Sequence, residues 1–183
     1  MEKEQKKIML LLTEECNLVC SYCYEHHKRP RTMDFAQAQR VIDAHYAETA
    51  PGETVLIEVF GGEPFLNFPL MQRIDDYVVT TYGDRVNLFE TTTNGTLVHG
   101  EVQSWLAARR DRWRVSLSLD GTQAMHDRNR PLKGGGSSYA QIDRAFFLRT
   151  WPGTAQAKLT LSEQTLPQLA EGVISLHEQG FVV

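Results

Sequence analysis

Short apolar runs alternate with amphipathic stretches along the whole chain, and no linker or low-complexity tract interrupts them. Lys7–Thr13 reads as a strand rich in Leu, Ile and Met. Asp34 is placed to cap a helix over Phe35–Thr49, with Ala38, Val41 and Ile42 on one face. Thr54–Phe60 reads as a strand, Leu70–Tyr82 as a helix ending at Gly83, Arg85–Thr92 as a strand and Gly100–Arg110 as a helix. Trp113–Leu119 is a fourth strand, Tyr139–Thr150 a fourth helix, Ala155–Leu161 a fifth strand, and Leu166–Gln179 a fifth helix closed by Gly180. Phe181–Val183 then begins a sixth strand. Repeated strand–helix units imply parallel strands joined by right-handed crossovers. An open doubly wound sheet and an all-parallel barrel both satisfy that pattern. The polar motifs favour the barrel, because they follow four successive strands: the cysteine run, Gly61–Pro64, Thr93–Thr96 and Ser118–Gly121. In a β/α barrel those strand ends form the active face, whereas an open sheet gathers such residues at one switch point. The expected fold is α/β, a partial (β/α)6 TIM-like barrel of about five units plus the start of strand six, in one domain over residues 1–183.

The chain has only three cysteines, all in the run Cys16-Asn17-Leu18-Val19-Cys20-Ser21-Tyr22-Cys23. Three closely spaced thiolates hold three irons of a cubic iron–sulfur cluster and leave the fourth iron without a protein ligand, the mark of a reactive metal site. A zinc site is the competing reading, with His26 or His27 as fourth ligand. An odd cysteine count argues against a disulfide framework, and a reducing compartment suits thiolate ligands. A net charge of −4 with interspersed signs implies no attraction to nucleic acid. The apolar stretch Ile8–Leu12 is too short to span a membrane, and Met1–Lys7 lacks the apolar core of a signal peptide. The expected location is the cytoplasm, with neither nucleic acid nor membrane as partner.

The other motifs each carry two readings. In Gly61-Gly62-Glu63-Pro64 the glycines allow close backbone approach by a ligand and Glu63 offers an anion to an ammonium group; alternatively this is an ordinary Gly-rich turn. Thr93-Asn94-Gly95-Thr96 is also a simple Asn-Gly turn, and Ser118 and Asp120 also suit strand-end capping. Gly134–Ser138 lacks the Lys-Ser/Thr of a phosphate loop and reads as a flexible loop or lid, with Arg128 and Arg130 preceding it. Trp105, Trp113 and Trp151 are expected to pack helices onto the sheet. His45, His99 and His177 read as surface or interface residues, His126 is unassigned, and Lys158 points either into the barrel or outward.

Taken together, Cys16, Cys20, Tyr22, Cys23, the Gly61–Pro64, Thr93–Thr96 and Ser118–Gly121 segments and His126-Asp127-Arg128-Asn129-Arg130 resemble the radical S-adenosylmethionine (SAM) superfamily. The likeness is to its SPASM branch, which contains anaerobic sulfatase-maturating enzymes and ribosomal-peptide maturases. The resemblance implies that Cys16, Cys20 and Cys23 ligate a [4Fe–4S] cluster whose free iron binds the amino and carboxylate groups of SAM. It further implies that Gly61, Gly62 and Glu63 hold the SAM amino group, Ser118 the ribose and Arg130 the carboxylate, with Tyr22 beside the adenine. The implied reaction is reductive cleavage of SAM to a 5′-deoxyadenosyl radical, which abstracts hydrogen from a peptide or protein. A flavodoxin or ferredoxin would supply the electron. Members of this branch typically carry six units and then a Cys-rich domain with auxiliary clusters. No cysteine follows Cys23, so the chain is expected to be the C-terminally incomplete core, with no catalytic residue assigned beyond the cluster. The alternatives are a cluster- and SAM-binding fragment without turnover, and a zinc-stabilised structural domain.

Overall fold

The computed structural model describes residues 6–25 and 29–183. Five parallel strands form one sheet in the order β1-β2-β3-β4-β5. They are β1 Lys6–Thr13, β2 Thr54–Gly61, β3 Val86–Thr93, β4 Trp113–Ser118 and β5 Gln156–Lys158. The helices are α1 Phe35–Tyr46, α2 Phe68–Thr81, α3 Glu101–Ala107, α4 Gln123–Asn129, α5 Arg144–Thr150 and α6 Leu169–Glu178. Every strand pairs with the next in sequence, so each crossover steps the same way. A doubly wound sheet reverses that direction at its switch point. The unreversed order is that of a partial barrel, as the strand-end motifs implied.

Alternation along the strands separates two faces. Ile8, Leu10 and Leu12 of β1, Val55, Ile57 and Val59 of β2, Phe89 of β3 and Trp113, Val115 and Leu117 of β4 are buried in one core. Ala38, Ile42 and Tyr46 of α1 and Met71, Ile74 and Val78 of α2 complete that core. Trp113 stacks on Phe89 with ring centroids 4.8 Å apart, and Trp105 meets Trp113 edge-on at 5.0 Å. The Trp151 indole donates to the Trp113 carbonyl at 2.9 Å. All three tryptophans therefore serve the core. The other face is polar. Its register aligns Met9, Glu58, Glu90 and Arg114 in one row. There Lys7 pairs with Glu58 at 2.7 Å, and Lys158 donates to Thr92 Oγ1 at 2.9 Å. Lys158 thus lies on the inward face of the partial barrel.

Local chemistry explains where elements start and stop. Asp34 accepts from Gln37 N at 2.8 Å while Gln37 Oε1 accepts from Asp34 N at 2.9 Å, a capping box that starts α1. The helix expected over Tyr139–Thr150 is broken. Ile142 is extended, and Asp143 recaps α5 by accepting from Phe146 N at 3.0 Å. α4 has no counterpart in the sequence reading, because its seven residues bury only Met125, His126 and Asn129 and show no apolar period. The fifth strand is shorter than expected, since beyond Lys158 the Thr160 N–H turns to the Asp120 carboxylate at 3.0 Å instead of a ladder partner. Val182 N donates to Ala155 O and Ala157 N to Val182 O, so the chain ends by opening a sixth parallel pairing beside β5.

Asp75 ties α2 to the end of α3 and the start of β4. Its fully buried carboxylate accepts from Arg109 Nε at 2.7 Å, Arg112 Nε at 2.9 Å and Trp113 Nε1 at 2.8 Å. Burial alone would raise its pKa, but the bonds from Arg112, Trp113 and Arg109 hold it below the usual carboxylate range. Stability from this group is therefore present above the unfolded carboxyl pKa and lost as pH falls through the lower folded value. Asp75→Ala is expected to cost about 3 kcal/mol, because it strands a buried indole N–H and two half-screened guanidinium groups. Urea denaturation at pH 7 measures this; a loss below about 0.5 kcal/mol would contradict the assignment.

Candidate active site at the C-terminal ends of the strands

The loop after β1 carries the cysteines and is held on two sides. From β2, Gly62 N donates to Thr13 O at 2.9 Å and Glu63 N to Glu15 O at 2.8 Å. A Cβ on Gly62 would lie 2.3 Å from Glu15 O, and one on Gly61 2.4 Å from Thr13 O. The glycines are thus required where the β2 end meets the cysteine loop, and they also line the cavity beside it. From the other side a strap over residues 129–133 crosses the loop. Val19 N donates to Pro131 O, Ser21 N to Asn129 O and Lys133 N to Asn17 O, at 2.9, 2.9 and 3.2 Å. Leu18, fully buried, bridges Leu132 in the same ladder.

A cavity of about 290 Å³ opens at this place. Cys16, Cys20, Tyr22, Cys23, Gly61, Gly62, Ser118 and Arg130 line it, with Tyr24, Glu25 and Thr160. Eight of the nine residues singled out from sequence therefore share one wall system. The ninth, Glu63, is not among the lining residues. Its 1 % exposed carboxylate accepts from Phe65 N at 3.2 Å and Thr93 Oγ1 at 2.8 Å on Oε1, and from Asn94 N at 2.8 Å on Oε2. These bonds tie the Glu63 carboxylate to the end of β3, while the backbone at Gly61 and Gly62 borders the cavity. Burial pushes the Glu63 carboxyl up to about 7, against the bonds from Asn94, Thr93 and Phe65 that favour the anion. A carboxyl raised in the folded state contributes stability that is complete below its unfolded pKa and lost as pH rises to the folded value. The chain is therefore expected to lose on the order of 2 kcal/mol between about pH 4.5 and pH 7, and Glu63→Gln to flatten that slope. Denaturant titrations of both proteins at half-unit pH steps check this; parallel slopes would count against it.

Arg130, 7 % exposed, is held by Asp120. Its Nε lies 3.0 Å from Asp120 Oδ2, and an Nη atom donates to Oδ1 at 3.1 Å. The guanidinium also sits 5.2 Å from the centre of the Tyr22 ring. Asp120 accepts further bonds from Tyr22 Oη at 2.6 Å and Asn129 Nδ2 at 3.1 Å. Burial raises the Tyr22 phenol far above its ordinary range, so it stays a donor. Asp120 thus joins the cysteine loop, the end of β4, the end of α4 and the turn after β5. The sequence reading gave it only a capping role. His126 is buried behind it, with Nδ1 accepting from Asp120 N at 3.3 Å. Burial drives its pKa down to about 4, which keeps the ring neutral. Ser137 and Ser138 bind Asp127 and the Arg130 carbonyl, each at 2.6 Å, so only Gly134–Gly136 of the expected lid stands in the open.

The donor set suits an iron–sulfur cluster. None of the three cysteines forms a disulfide, and all border one cavity. Among the described residues, no three His, Cys, Asp or Glu side chains are gathered to hold a single metal ion. A cubane binds each thiolate to a different iron, so three thiols bordering one cavity suit it. His26 and His27, the zinc reading's fourth ligands, lie outside the described residues. No helix among the described residues is long and apolar enough to cross a membrane.

Comparison with known proteins agrees with this geometry. The chain is 30 % identical over 169 residues to an uncharacterised protein of Methanocaldococcus jannaschii, covering 92 % of this chain and 57 % of that one. It is 30 % identical over 139 residues to the serine-type anaerobic sulfatase-maturating enzyme of Klebsiella aerogenes, covering 73 % and 34 %. It is 28 % identical over 172 residues to a GTP 3′,8-cyclase of Stenotrophomonas maltophilia, covering 88 % and 49 %. The chain therefore spans between a third and somewhat over half the length of these relatives. In fold it is similar to the structure of native anSMEcpe with bound AdoMet and Cp18Cys peptide, with TM-score 0.83 at 20 % identity, covering 97 % of this chain and 49 % of that one. The model of the radical SAM superfamily matches residues 10–147, from inside β1 to inside α5. With its cysteine loop at the mouth of a partial parallel barrel, this chain belongs to the radical SAM superfamily.

Proposed function

We propose that residues 1–183 are the SAM-cleaving core of a radical enzyme that acts on a peptide or protein. The observation that carries the reading is the shared cavity, where three cysteines outside any disulfide stand with the Gly61–Gly62 backbone, Ser118, Tyr22 and Arg130. Cys16, Cys20 and Cys23 would hold a [4Fe–4S] cluster. Backbone carbonyls at Gly61 and Gly62 suit the SAM ammonium, the Ser118 hydroxyl a ribose diol, and the Arg130 guanidinium a carboxylate. Tyr22 offers a flat face beside the adenine. When bound, the cluster and SAM supply the chemistry: one electron enters the sulfonium, giving methionine and a 5′-deoxyadenosyl radical that takes hydrogen from substrate. The protein's part is to orient these groups and to exclude water. The strap over residues 129–133 and the Asp120–Arg130 pair fix the wall that does so. A peptide substrate is supported by the sulfatase-maturating relatives, though a GTP cyclase is also among the relatives. A flavodoxin or ferredoxin is the proposed electron donor.

The test is anaerobic loading of the chain with iron and sulfide, reduction with dithionite, addition of SAM and assay of 5′-deoxyadenosine. Cleavage above a cluster-free control is expected. The short coverage of the relatives favours one second reading, a fragment that binds cluster and SAM without turnover. Tight SAM binding with no 5′-deoxyadenosine would select it. Bound zinc without sulfide would overturn both.

A further inference from the structure

We infer that Asn94 is a positioning residue for the cluster: its side-chain amide donates to Cys16 and stabilises negative charge on that sulfur. The inference rests on the proposal that the cysteines hold a cluster. Asn94 follows β3 and is buried. Its backbone N–H is pinned by Glu63 Oε2 at 2.8 Å. Its Oδ1 accepts from both Thr96 N at 3.0 Å and Thr96 Oγ1 at 2.7 Å. Turning the amide over would set its NH2 against a backbone N–H, so the orientation is fixed by the hydrogen-bond network. That leaves Nδ2 facing the cysteine loop with two hydrogens to place. One goes to Asn17 Oδ1 at 2.8 Å and the other to Cys16 Sγ at 3.9 Å. Asn17 is locked in turn, donating through its own Nδ2 to Thr96 Oγ1 at 2.7 Å. The Asn94–Asn17–Thr96 ring, built from the cysteine loop and the segment after β3, thus aims one N–H at sulfur.

Cys16 receives a second donor, Leu18 N at 3.4 Å, and is itself only 6 % exposed. Cys23 has the opposite kind of contact, its thiol donating to Glu25 O at 3.8 Å, which a thiolate cannot do. N–H donors stabilise negative charge on thiolate sulfur, and a reduced cluster carries one more negative charge than an oxidised one. Donors to Cys16 therefore raise the reduction potential of a cluster held there. In the line from the Glu63 carboxylate through Asn94 to Cys16, the buried glutamate sets the backbone from which the donor is aimed.

The test is a one-electron redox titration of the loaded chain with dithionite, followed by electron paramagnetic resonance of the reduced cluster. Asn94→Ala is expected to shift the reduction equilibrium about tenfold toward the oxidised cluster, about 59 mV more negative for one electron. Asn94→Asp, which removes the donor and adds an anion, is expected to shift it further in the same sense. Asn17→Ala, which takes the other hydrogen's acceptor but no bond to sulfur, is expected to move it less than either. A fully loaded Asn94→Ala cluster with unchanged potential overturns the inference. Should that variant fail to load, Thr96→Val decides, since it removes one of the two holds on Oδ1: a smaller negative shift supports the inference and no shift overturns it. An unsubstituted chain that forms no cluster sinks the underlying proposal and this inference with it, whereas a normal cluster indifferent to Asn94 sinks this inference alone.

Discussion

Asp120→Ala is expected to lower the unfolding free energy by about 4 kcal/mol, more than any other single substitution at the strand ends. The Asp120 carboxylate is fully buried and gathers the Arg130 guanidinium, the Tyr22 hydroxyl, the Asn129 amide and the Thr160 N–H. Removing it leaves a cation buried without its counter-ion, which is the costly way to break such a pair. Burial alone would lower the pKa of Arg130, and the nearby Asp120 more than offsets that. Two comparisons separate charge from packing. Tyr22→Phe removes one hydrogen bond and is expected to cost about 1 kcal/mol. Asp120→Ala combined with Arg130→Met removes both charges and is expected to recover much of the loss, since an apolar replacement of an ion pair is often close to neutral. Urea denaturation of the three proteins tests this set. An Asp120→Ala loss no larger than that of Tyr22→Phe would mean the carboxylate does not carry the network.

Cys16→Ala is expected to remove the iron–sulfur chromophore and to bring 5′-deoxyadenosine formation to the cluster-free background, a fall of several orders of magnitude. The fold is expected to survive, because the replacement trims one sulfur from a small buried side chain and costs about 1 kcal/mol. His26→Ala and His27→Ala are expected to leave the chromophore in place. Iron and sulfide analysis with the SAM-cleavage assay reads all three variants. Retention of full metal by Cys16→Ala, or its loss on replacing either histidine, would point to a different ligand set.

These two residues were not equally visible in the sequence. The cysteine run needs no fold to be noticed, since its spacing alone limits the chemistry. The strands were visible because Ile8, Leu10 and Leu12, or Val55, Ile57 and Val59, repeat at the period of a pleated face. What stayed hidden depends on partners far along the chain. Asp120 meets Tyr22 across 98 residues and Thr160 across 40, and no local pattern records either contact. Asn94 looked like half of an Asn-Gly turn, yet its amide is spent on Asn17 and Cys16. The bonds to Glu63 were hidden likewise, because two of its three donors, Thr93 Oγ1 and Asn94 N, lie about thirty residues further along the chain. α4 was missed for a related reason: Thr122 caps it and Asp127 anchors the loop beyond it, so polar contacts take the place of an apolar stripe.

The strap over residues 129–133 sets an order of events during synthesis. Cys16, Cys20 and Cys23 leave the ribosome early, with the first strand. The groups that accept from Val19 N and Ser21 N, the carbonyls of Pro131 and Asn129, emerge only after three further strands have been made. Until then the loop is held only from the β2 side, through Thr13 O and Glu15 O, and its thiols stand open to stray metal and to oxidation. A cluster held by these thiols would accordingly be inserted late, once the fourth strand and its following helix have arrived.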